Sequence, residues 1–289
     1  MTARLPDHLP SPTAWQARLD LGFERRDATT ILARRAHVGP LRIQKALHPE
    51  GPDLCHAIVL HPPAGICGGD QLRIGVSVGD GAQALLTTPG AGKWYRSAGA
   101  EAEQSVNIKV GAGGTAEWLP QESIAFDAAQ ARMRTTVELA EGARYLGVET
   151  LCLGRRASGE TFARGALRLA TDIRLKGAPL WHERGRIEGG SSLLASPVGL
   201  AGFSVCSTVI AAGADVGADT LAACRAATSP EAGAQYGARF GVSAMPQLFV
   251  GRYLGHSAEA ARHWFVELWR ALRPVFIGRA AAVPRIWHT

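Results

Sequence analysis

Apolar and polar residues alternate along much of the chain with a period of two. The pattern is clearest at residues 71–78 (QLRIGVSV) and 105–110 (SVNIKV). Such alternation predicts β-strands that turn one face toward a core and the other toward solvent. Further segments bounded by Gly, Pro or acidic turns are also predicted to be strands: 54–61, 83–88, 133–139, 143–153, 161–169 and 203–211.

Three segments repeat the order strand, glycine-containing turn, strand: 76–86, 108–119 and 137–147. Their starts are about thirty residues apart, and repeats of roughly that length usually stack as supersecondary units. We therefore predict a mainly β fold, with short strands stacked in a meander or β-helix-like arrangement. Hairpins in an ordinary β-sandwich would give a similar pattern, so that alternative stays open.

Helical periodicity is confined to the C-terminal half, where we predict two helices. The first is the Ala-rich segment 218–228, and the second spans 256–274 (HSAEAARHWFVELWRALRP). Ser257 is suited to cap the start of the second helix, and Pro274 is expected to end it. The apolar residues of this helix recur at helical spacing, which favours packing on a core over a groove for a partner.

The composition is that of a folded chain with many turns. The 289 residues include 34 Gly and 16 Pro, which argues against an all-helical bundle. The apolar fraction of 46% and the charged fraction of 19% exclude an intrinsically disordered chain. We predict a mobile, Pro-rich lead at residues 1–15, followed by a single domain at residues 16–289.

The formal net charge of +6 points to an acidic partner, for which nucleic acid is one candidate. However, nearly all the basic residues are Arg, as high-GC coding produces. The aromatic residues are not interleaved with basic clusters, as they are in single-strand binding proteins. A basic nucleic-acid-binding module is therefore the weakest functional alternative, and we expect no nucleic-acid partner.

The five cysteines are odd in number and form no C-x-x-C pair. The sequence opens MTARLPDHLPSPTAW, without an apolar leader, and no run of roughly eighteen apolar residues follows. These features predict a cytoplasmic protein that has no disulfide framework and does not contact a membrane.

Catalytic motifs do not emerge from the sequence. The segment GAGK at 90–93 is not a phosphate-binding loop, because Thr87 stands where its first glycine belongs and Trp94 where its Ser or Thr belongs. Neither a nucleophile elbow nor an H-E-x-x-H motif is present. A hydrolase is therefore not supported by motif, although a triad assembled from distant positions stays open. A metal-dependent hydrolase on a β scaffold is the alternative, and it would need a tight metal site.

Possible metal ligands are concentrated in residues 55–70, which include Cys55, His56, His61, Cys67 and Asp70. A structural zinc site usually has ligand pairs about two to four residues apart, and this spacing does not fit. The default interpretation is that the cysteines are buried in strands. We interpret His61 as a turn histidine with satisfied hydrogen bonds, not as a metal ligand.

Several blocks of the sequence resemble one known family. The densest covers residues 61–97 (HPPAGICGGDQLRIGVSVGDGAQALLTTPGAGKWYRS), with glycines crowded before Asp70. Further blocks follow in order: LPQESIAFDAA at 119–129, LGRRASGETF at 153–162, WHERGRI at 181–187 and the close WRALRPVFIGRAAAVPRIWHT. Together they resemble the urease accessory protein D family (UreD, called UreH in some bacteria) across nearly the whole chain.

The resemblance implies a non-enzymatic chaperone and scaffold for urease maturation, with a mostly β fold and two helices. Such proteins act with a helical adaptor, UreF, and a GTPase, UreG, to deliver nickel to the urease apoprotein. The resemblance implies no tightly bound cofactor, only transient Ni(II) passing through an internal channel. Cys67 and Cys152 stand in blocks where we expect more neutral residues, so we assign their thiols no special role.

A conduit must bind Ni(II) weakly, and scattered oxygen ligands achieve this better than a thiolate cluster. Within the family-like blocks, five carboxylates are candidates for the nickel path: Asp70, Glu122, Asp127, Glu149 and Glu160. Structural alternatives exist, since Asp70 could cap a turn and Glu160 could pair with Arg155 or Arg156. Glu149 lies in an apolar strand, where a carboxylate must be paired, hydrated or functional.

Overall fold

The computed structural model describes residues 14–227 and 237–288. The predicted mobile lead at 1–15 therefore lies almost entirely outside the described residues. The strands are β1 (Gln16–Arg26), β2 (Thr29–Val38), β3 (Arg42–Ile43), β4 (Leu54–Leu60), β5 (Gln71–Val78), β6 (Gln83–Thr87), β7 (Gly92–Trp94), β8 (Ala102–Val110), β9 (Thr115–Leu119), β10 (Ser123–Ala125), β11 (Gln130–Leu139), β12 (Arg144–Leu153), β13 (Ala166–Leu175), β14 (Ala178–Glu188), β15 (Val205–Ala212), β16 (Arg239–Met245) and β17 (Leu248–Gly255).

The strands form two sheets. The outer sheet has seven strands in the order β14-β13-β11-β8-β5-β1-β2. The central sheet runs β16-β17-β15-β12-β9-β6-β4-β3, and β10 and β7 join it beside the second half of β12. Side chains alternate between the two faces of each strand, so one face of each sheet contributes to a shared apolar core.

The repeated units are successive coils of a solenoid. In each unit the first strand lies in the outer sheet and the second lies in the central sheet. The outer sheet thus contains the parallel strands β5, β8 and β11, and the central sheet contains the parallel strands β6, β9 and β12. The turns also stack, because Gly81 N–H donates to Ala112 O and Gly113 N–H donates to Glu141 O. The predicted β-helix-like stack is confirmed, and the hairpin alternative is wrong for these units.

The strand predicted at 161–169 begins later than expected. Residues 161–165 form a loop, and β13 starts at Ala166 after Gly165, whose φ is +101°. The carboxylate of Asp127 accepts the N–H groups of Ala163 and Arg164. These two N–H groups are therefore taken by a side chain, which competes with strand formation.

Three α-helices lie in the described part of the C-terminal half: α1 (Ser192–Ala195), α2 (Ala218–Ala226) and α3 (Ala258–Phe276). The two predicted helices correspond to α2 and α3, and α1 adds a single turn. Residue 228, the predicted end of the first helix, lies outside the described residues. Single 3-10 turns occur at Arg156–Ser158 and Arg285–His288. None of the described helices is long and apolar enough to cross a membrane.

Helix α3 covers the face of the central sheet that points away from the outer sheet. The Ser257 hydroxyl accepts the N–H of Ala260 at 3.1 Å, which confirms the predicted cap. The predicted apolar stripe is also confirmed as core, since all its members are buried: Ala261, Trp264, Phe265, Leu268, Trp269 and Leu272. The molecule is therefore layered as sheet, sheet and helix.

The expected end of α3 at Pro274 is wrong, because the helix continues to Phe276. Proline lacks an N–H and its ring crowds the carbonyl four residues earlier, which is why an end was expected there. The N–H groups of Ile277 and Gly278 still reach the carbonyls of Arg273 and Pro274, so the last turn closes beyond the proline.

Candidate functional site

A cavity of about 430 Å³ lies between the two sheets. Its walls are mainly apolar, and a few polar side chains from both sheets reach into it: His61, Gln104, Thr135, Glu149, Cys206 and Thr208. Except for His61, which lies in the loop after β4, these residues occupy inward positions of strands whose other inward residues are mostly apolar. The pattern that builds the core therefore also places these polar groups inside it.

Glu149 projects into this cavity from β12. Its carboxylate accepts a hydrogen bond from the hydroxyl of Thr135, which lies opposite on the outer sheet. The Glu149 side chain is exposed to the cavity, and the surrounding protein atoms still limit its contact with bulk water. Burial raises the pKa of Glu149, and nearby Glu183 acts in the same direction, whereas the Thr135 hydrogen bond and Arg252 lower it. Because its charge is costly there, this carboxyl group is suited to take up a cation or a proton.

An ion pair joins the two sheets beside Glu149. Arg252 of β17 lies 2.8 Å from the carboxylate of Glu183 on β14, and it also donates to the hydroxyl of Thr208 at 2.7 Å. Thr208 lines the cavity. The pair therefore fixes one of the cavity walls and places a positive and a negative charge next to it.

The cavity reaches the surface at two loops, residues 61–64 and 88–93. Ala64 and Gly90 are exposed and belong to its lining. His61 lies at the same end, where burial lowers its pKa and the charge of Asp70 opposes that effect. Among the described residues its Nε2 atom is buried without a hydrogen-bond partner. The expectation that His61 is fully satisfied is therefore wrong, because the ring turns inward from its turn.

Asp70 does not reach the cavity. It is almost fully buried, and its two oxygens accept the backbone N–H groups of Trp15 at 2.7 Å and Cys67 at 2.8 Å. This is the turn-capping arrangement given above as the structural alternative. Both carboxylate oxygens hold the start of the chain against the glycine-rich loop.

Asp127 and Glu160 lie next to each other outside the cavity, where Glu160 accepts the N–H of Asp127. Asp127 pairs with Arg164 at 2.6 Å, and this hydrogen-bonded ion pair lowers the pKa of Asp127. Glu160 pairs with Arg155, as the structural alternative proposed. Burial raises the pKa of Glu160, but the Asp127 N–H and Arg155 outweigh it, and the net shift is downward.

Glu122 lies apart from the other candidates and forms an ion pair with Arg262 of α3 at 2.6 Å. Of the five carboxylates predicted for a nickel path, the structure thus places Glu149 in the cavity, Asp127 beside Glu160, and the other two separately. Across residues 14–227 and 237–288, no group of three or more His, Cys, Asp or Glu side chains is arranged to hold a metal ion.

The cysteines differ in their surroundings. Cys67 is exposed, whereas Cys55 and Cys152 are buried, as expected of strand cysteines. Burial raises the pKa of Cys152 to about 12 and that of Cys206, in the cavity wall, to about 11. These two thiols are therefore protonated at neutral pH and are poor metal ligands in that form.

Thr135 and Thr208 were missed in the sequence analysis. A signal for Thr135 exists, since it occupies an inward position of β11 between buried Ala131 and Val137. A polar residue at an inward position of an alternating strand marks either a hydrogen-bond partner or a polar cavity. Thr208 occupies the corresponding kind of position in β15.

A second cluster of charges lies on the opposite face of the central sheet. Arg273, fully buried in the last turn of α3, contacts Glu117 at 3.0 Å and Glu50 at 2.6 Å. The indole of Trp269 donates to Glu117 at 2.7 Å, and His56 lies 2.8 Å from Glu50. Every charged oxygen of this cluster has a partner, so we interpret it as a structural network that fixes α3.

Comparison with known proteins agrees with the resemblance noted from the sequence. The family described as UreD urease accessory protein matches residues 16–288. Three relatives named "Urease accessory protein UreD" illustrate the similarity. The relative from Dechloromonas aromatica is 52% identical with both chains fully covered, and that from Azoarcus sp. is 54% identical over 98% of this chain and 96% of its own. The relative from Pseudomonas aeruginosa PAO1 is 49% identical with both chains fully covered. This chain therefore belongs to the UreD family of urease accessory proteins.

Proposed function

We propose that this protein is a non-enzymatic, cytoplasmic scaffold for urease maturation that passes Ni(II) to the urease apoprotein through the cavity between its sheets. The proposal includes the helical adaptor UreF and the GTPase UreG as partners, and no role with nucleic acid or membranes. Nickel is the cargo in this proposal, and no cofactor is retained.

The observation that carries the proposal is the position of Glu149 inside the inter-sheet cavity. A single carboxylate with neighbouring hydroxyl groups offers Ni(II) oxygen ligands, but too few for a tight site. Since burial already disfavours the negative charge of Glu149, a passing cation compensates that cost. Ion binding and proton release are then coupled, because a carboxylate ligand must be deprotonated.

The other four predicted ligands keep a secondary place in this proposal. Asp70, Glu122, Asp127 and Glu160 are each held by an Arg side chain or by backbone N–H groups. An ion would have to compete with these partners at each position. Glu149 is thus the first residue to test, and the paired carboxylates are expected to have smaller effects on nickel transfer.

The test is complementation of a strain that lacks this protein, grown with limiting nickel. Wild-type protein restores urease activity and the nickel content of urease, whereas Glu149→Gln restores much less of both. Glu138→Gln is the matched control, because Glu138 also lies in a strand but pairs with Lys109 on the exposed face of the outer sheet. Full nickel loading of urease with Glu149→Gln would contradict the role of the cavity.

The scaffold role is tested separately by affinity capture. We expect wild-type protein and Glu149→Gln to retain UreF and apo-urease equally, because Glu149 lies inside the molecule. Normal urease activation at limiting nickel in the deletion strain itself would contradict the whole proposal.

A further inference from the structure

Strand β16 forms one edge of the central sheet. All seven of its residues pair with β17, from Arg239 opposite Leu254 to Met245 opposite Leu248. On its other side, no strand of the described part of the chain pairs with it. Among residues 14–227 and 237–288, the outward N–H and C=O groups of β16 have no strand to pair with, and such an edge can template a further strand.

The other edges of the two sheets carry features that discourage pairing. In the outer sheet, the pairing of β2 and that of β14 each contain a register shift, and β14 carries four charged residues and β2 two arginines. In the central sheet, β3 has two residues and β7 has three. Short length, charge and bulges are the devices by which proteins protect sheet edges.

Strand β16 has none of these devices along most of its length. It pairs with β17 without a register shift, and its one charged residue, Arg239, is at its first position. One face carries Phe240, Val242 and Ala244, which are partly buried, and the first two pack against the apolar cluster formed with α2 and α3. The other face is exposed and has small residues at Gly241 and Ser243. Such an edge is suited to close approach of a second backbone.

We propose that β16 pairs antiparallel with β16 of a second copy of this chain, about a two-fold axis at Val242. This register pairs all seven residues and brings Val242 opposite the partner's Val242. It also places Phe240 opposite the partner's Ala244, so a large side chain meets a small one on the helix-facing side. The apolar layer beside α3 would then continue across the axis.

The charges agree with self-pairing. In this register Arg239 lies opposite the partner's Met245, and the two Arg239 residues are six positions apart along the pair. At a rise of about 3.3 Å per residue, their separation is roughly 20 Å, which exceeds the screening length in physiological salt. Within β16 no like charges are thus brought together, and its pairing requires no acidic residue on the partner strand.

The interface is small, so the dimer should be weak. Seven paired residues and one apolar strip fall at the low end of protein interface sizes, where association is transient. We expect a dissociation constant on the order of micromolar, and a monomer–dimer equilibrium that depends on concentration.

The first test is disulfide cross-linking of the full chain, with Cys67→Ser included because Cys67 is exposed. Val242→Cys should give an intermolecular disulfide under mild oxidation, because the two introduced thiols face each other at the axis. Ala244→Cys is the matched control on the same face of the same strand. Its two copies are four positions apart, about 13 Å, which is too far for a disulfide.

The second test is sedimentation velocity of otherwise native protein between about 1 and 100 μM. The wild-type sedimentation coefficient should rise with concentration, and that of Val242→Lys should stay at the monomer value. Val38→Lys is the control, because Val38 is exposed on the edge strand β2 and should leave dimerisation intact. A wild-type protein that is monomeric throughout, or equal cross-linking at positions 242 and 244, would overturn the proposal.

Discussion

On the helix side of the central sheet, the carboxylate of Glu117 is matched by Arg273 and by the indole of Trp269. On the cavity side, Glu149 has the Thr135 hydroxyl and otherwise faces open space. The Glu117 carboxylate is buried and that of Glu149 is exposed to the cavity, and the two residues lie in adjacent parallel strands, β9 and β12. They differ in whether the surrounding groups neutralise them.

This difference separates a structural role from a functional one. A buried charge that is fully paired fixes the elements around it, and its loss leaves partners without compensation. A carboxylate that faces a cavity with incomplete pairing does little to stabilise the fold, so its presence calls for another explanation. We therefore expect substitutions in the charged network on the helix side to cause large losses of stability. Substitution of the carboxylate on the cavity side should impair function and change stability little.

The largest effect is expected for Arg273→Met. This change leaves Glu117 and Glu50 without their shared cation inside the protein, which costs about 3–5 kcal/mol. Urea unfolding followed by circular dichroism measures it. Arg270→Ala is the control on the same helix, because Arg270 pairs with Glu267 at the surface and should change stability by less than about 0.5 kcal/mol. Equal losses for both variants would remove the distinction between the two faces.

Next is Gly251→Ala, which probes packing under α3. A Cβ atom at this position would lie 2.9 Å from Leu268 Cδ1 and 3.3 Å from the Trp264 ring, so these two buried side chains would have to shift. We expect a loss of about 1–3 kcal/mol in unfolding free energy. Gly241→Ala in the neighbouring strand is the control, since nothing lies within 4 Å of its added Cβ. A neutral Gly251→Ala would show that the helix layer is looser than described.

A smaller effect is expected on acidification. The pKa of Glu50 is lowered to about 2 because its hydrogen bonds and charge interactions with His56 and Arg273 outweigh its burial. A lowered pKa contributes stability above the unfolded value of 4.5, and this contribution is lost as the pH falls toward about 2. The loss should be about 1–2 kcal/mol after allowance for contact with water. In Glu50→Gln this part of the pH dependence should disappear from urea titrations at several pH values.

The smallest change in stability is expected for Glu149→Gln, the variant with the strongest predicted effect on nickel transfer. Because the pKa of Glu149 is raised, its favourable contribution is present below 4.5 and is lost as the pH rises through the folded value. The glutamine variant avoids this loss, so it should equal or exceed wild type by up to about 1 kcal/mol at pH 7. A strongly destabilised variant would place Glu149 with the structural network.

Much of the fold could be predicted because one face of each strand is buried. At β5 the alternation gave both ends of the strand, since its inward residues are all apolar and its outward residues are small or polar. The repeated turn predicted the stack, although periodicity could not say that the two strands of a unit enter different sheets. The end of α3 was misjudged because packing on the sheet continues beyond Pro274.

The site was less predictable, because its character depends on partners that are distant in sequence. The residues next to Asp127 in the sequence do not indicate that it pairs with Arg164. Likewise, Glu122 pairs with Arg262, which lies 140 positions further along the chain. Glu149 stood out only as a carboxylate in an apolar strand. The burial of Arg273 could have been predicted from the sequence. It follows Trp269 by four positions, so it lies on the buried apolar stripe of α3.

The exact length of each short stacked turn determines which side chains of the next strand face the cavity and which face α3. The turn at residues 111–114 leads into β9, where Glu117 faces α3 and Trp118 faces the cavity. One inserted residue there would reverse every side chain of the strand, moving a carboxylate into the cavity and an indole under the helix. The longer loop at 154–165 joins β12 to β13 and can absorb added residues without changing which side chains of β13 face the core. Insertions and deletions among relatives should therefore be concentrated in loops such as 154–165 and be rare in short turns such as 111–114.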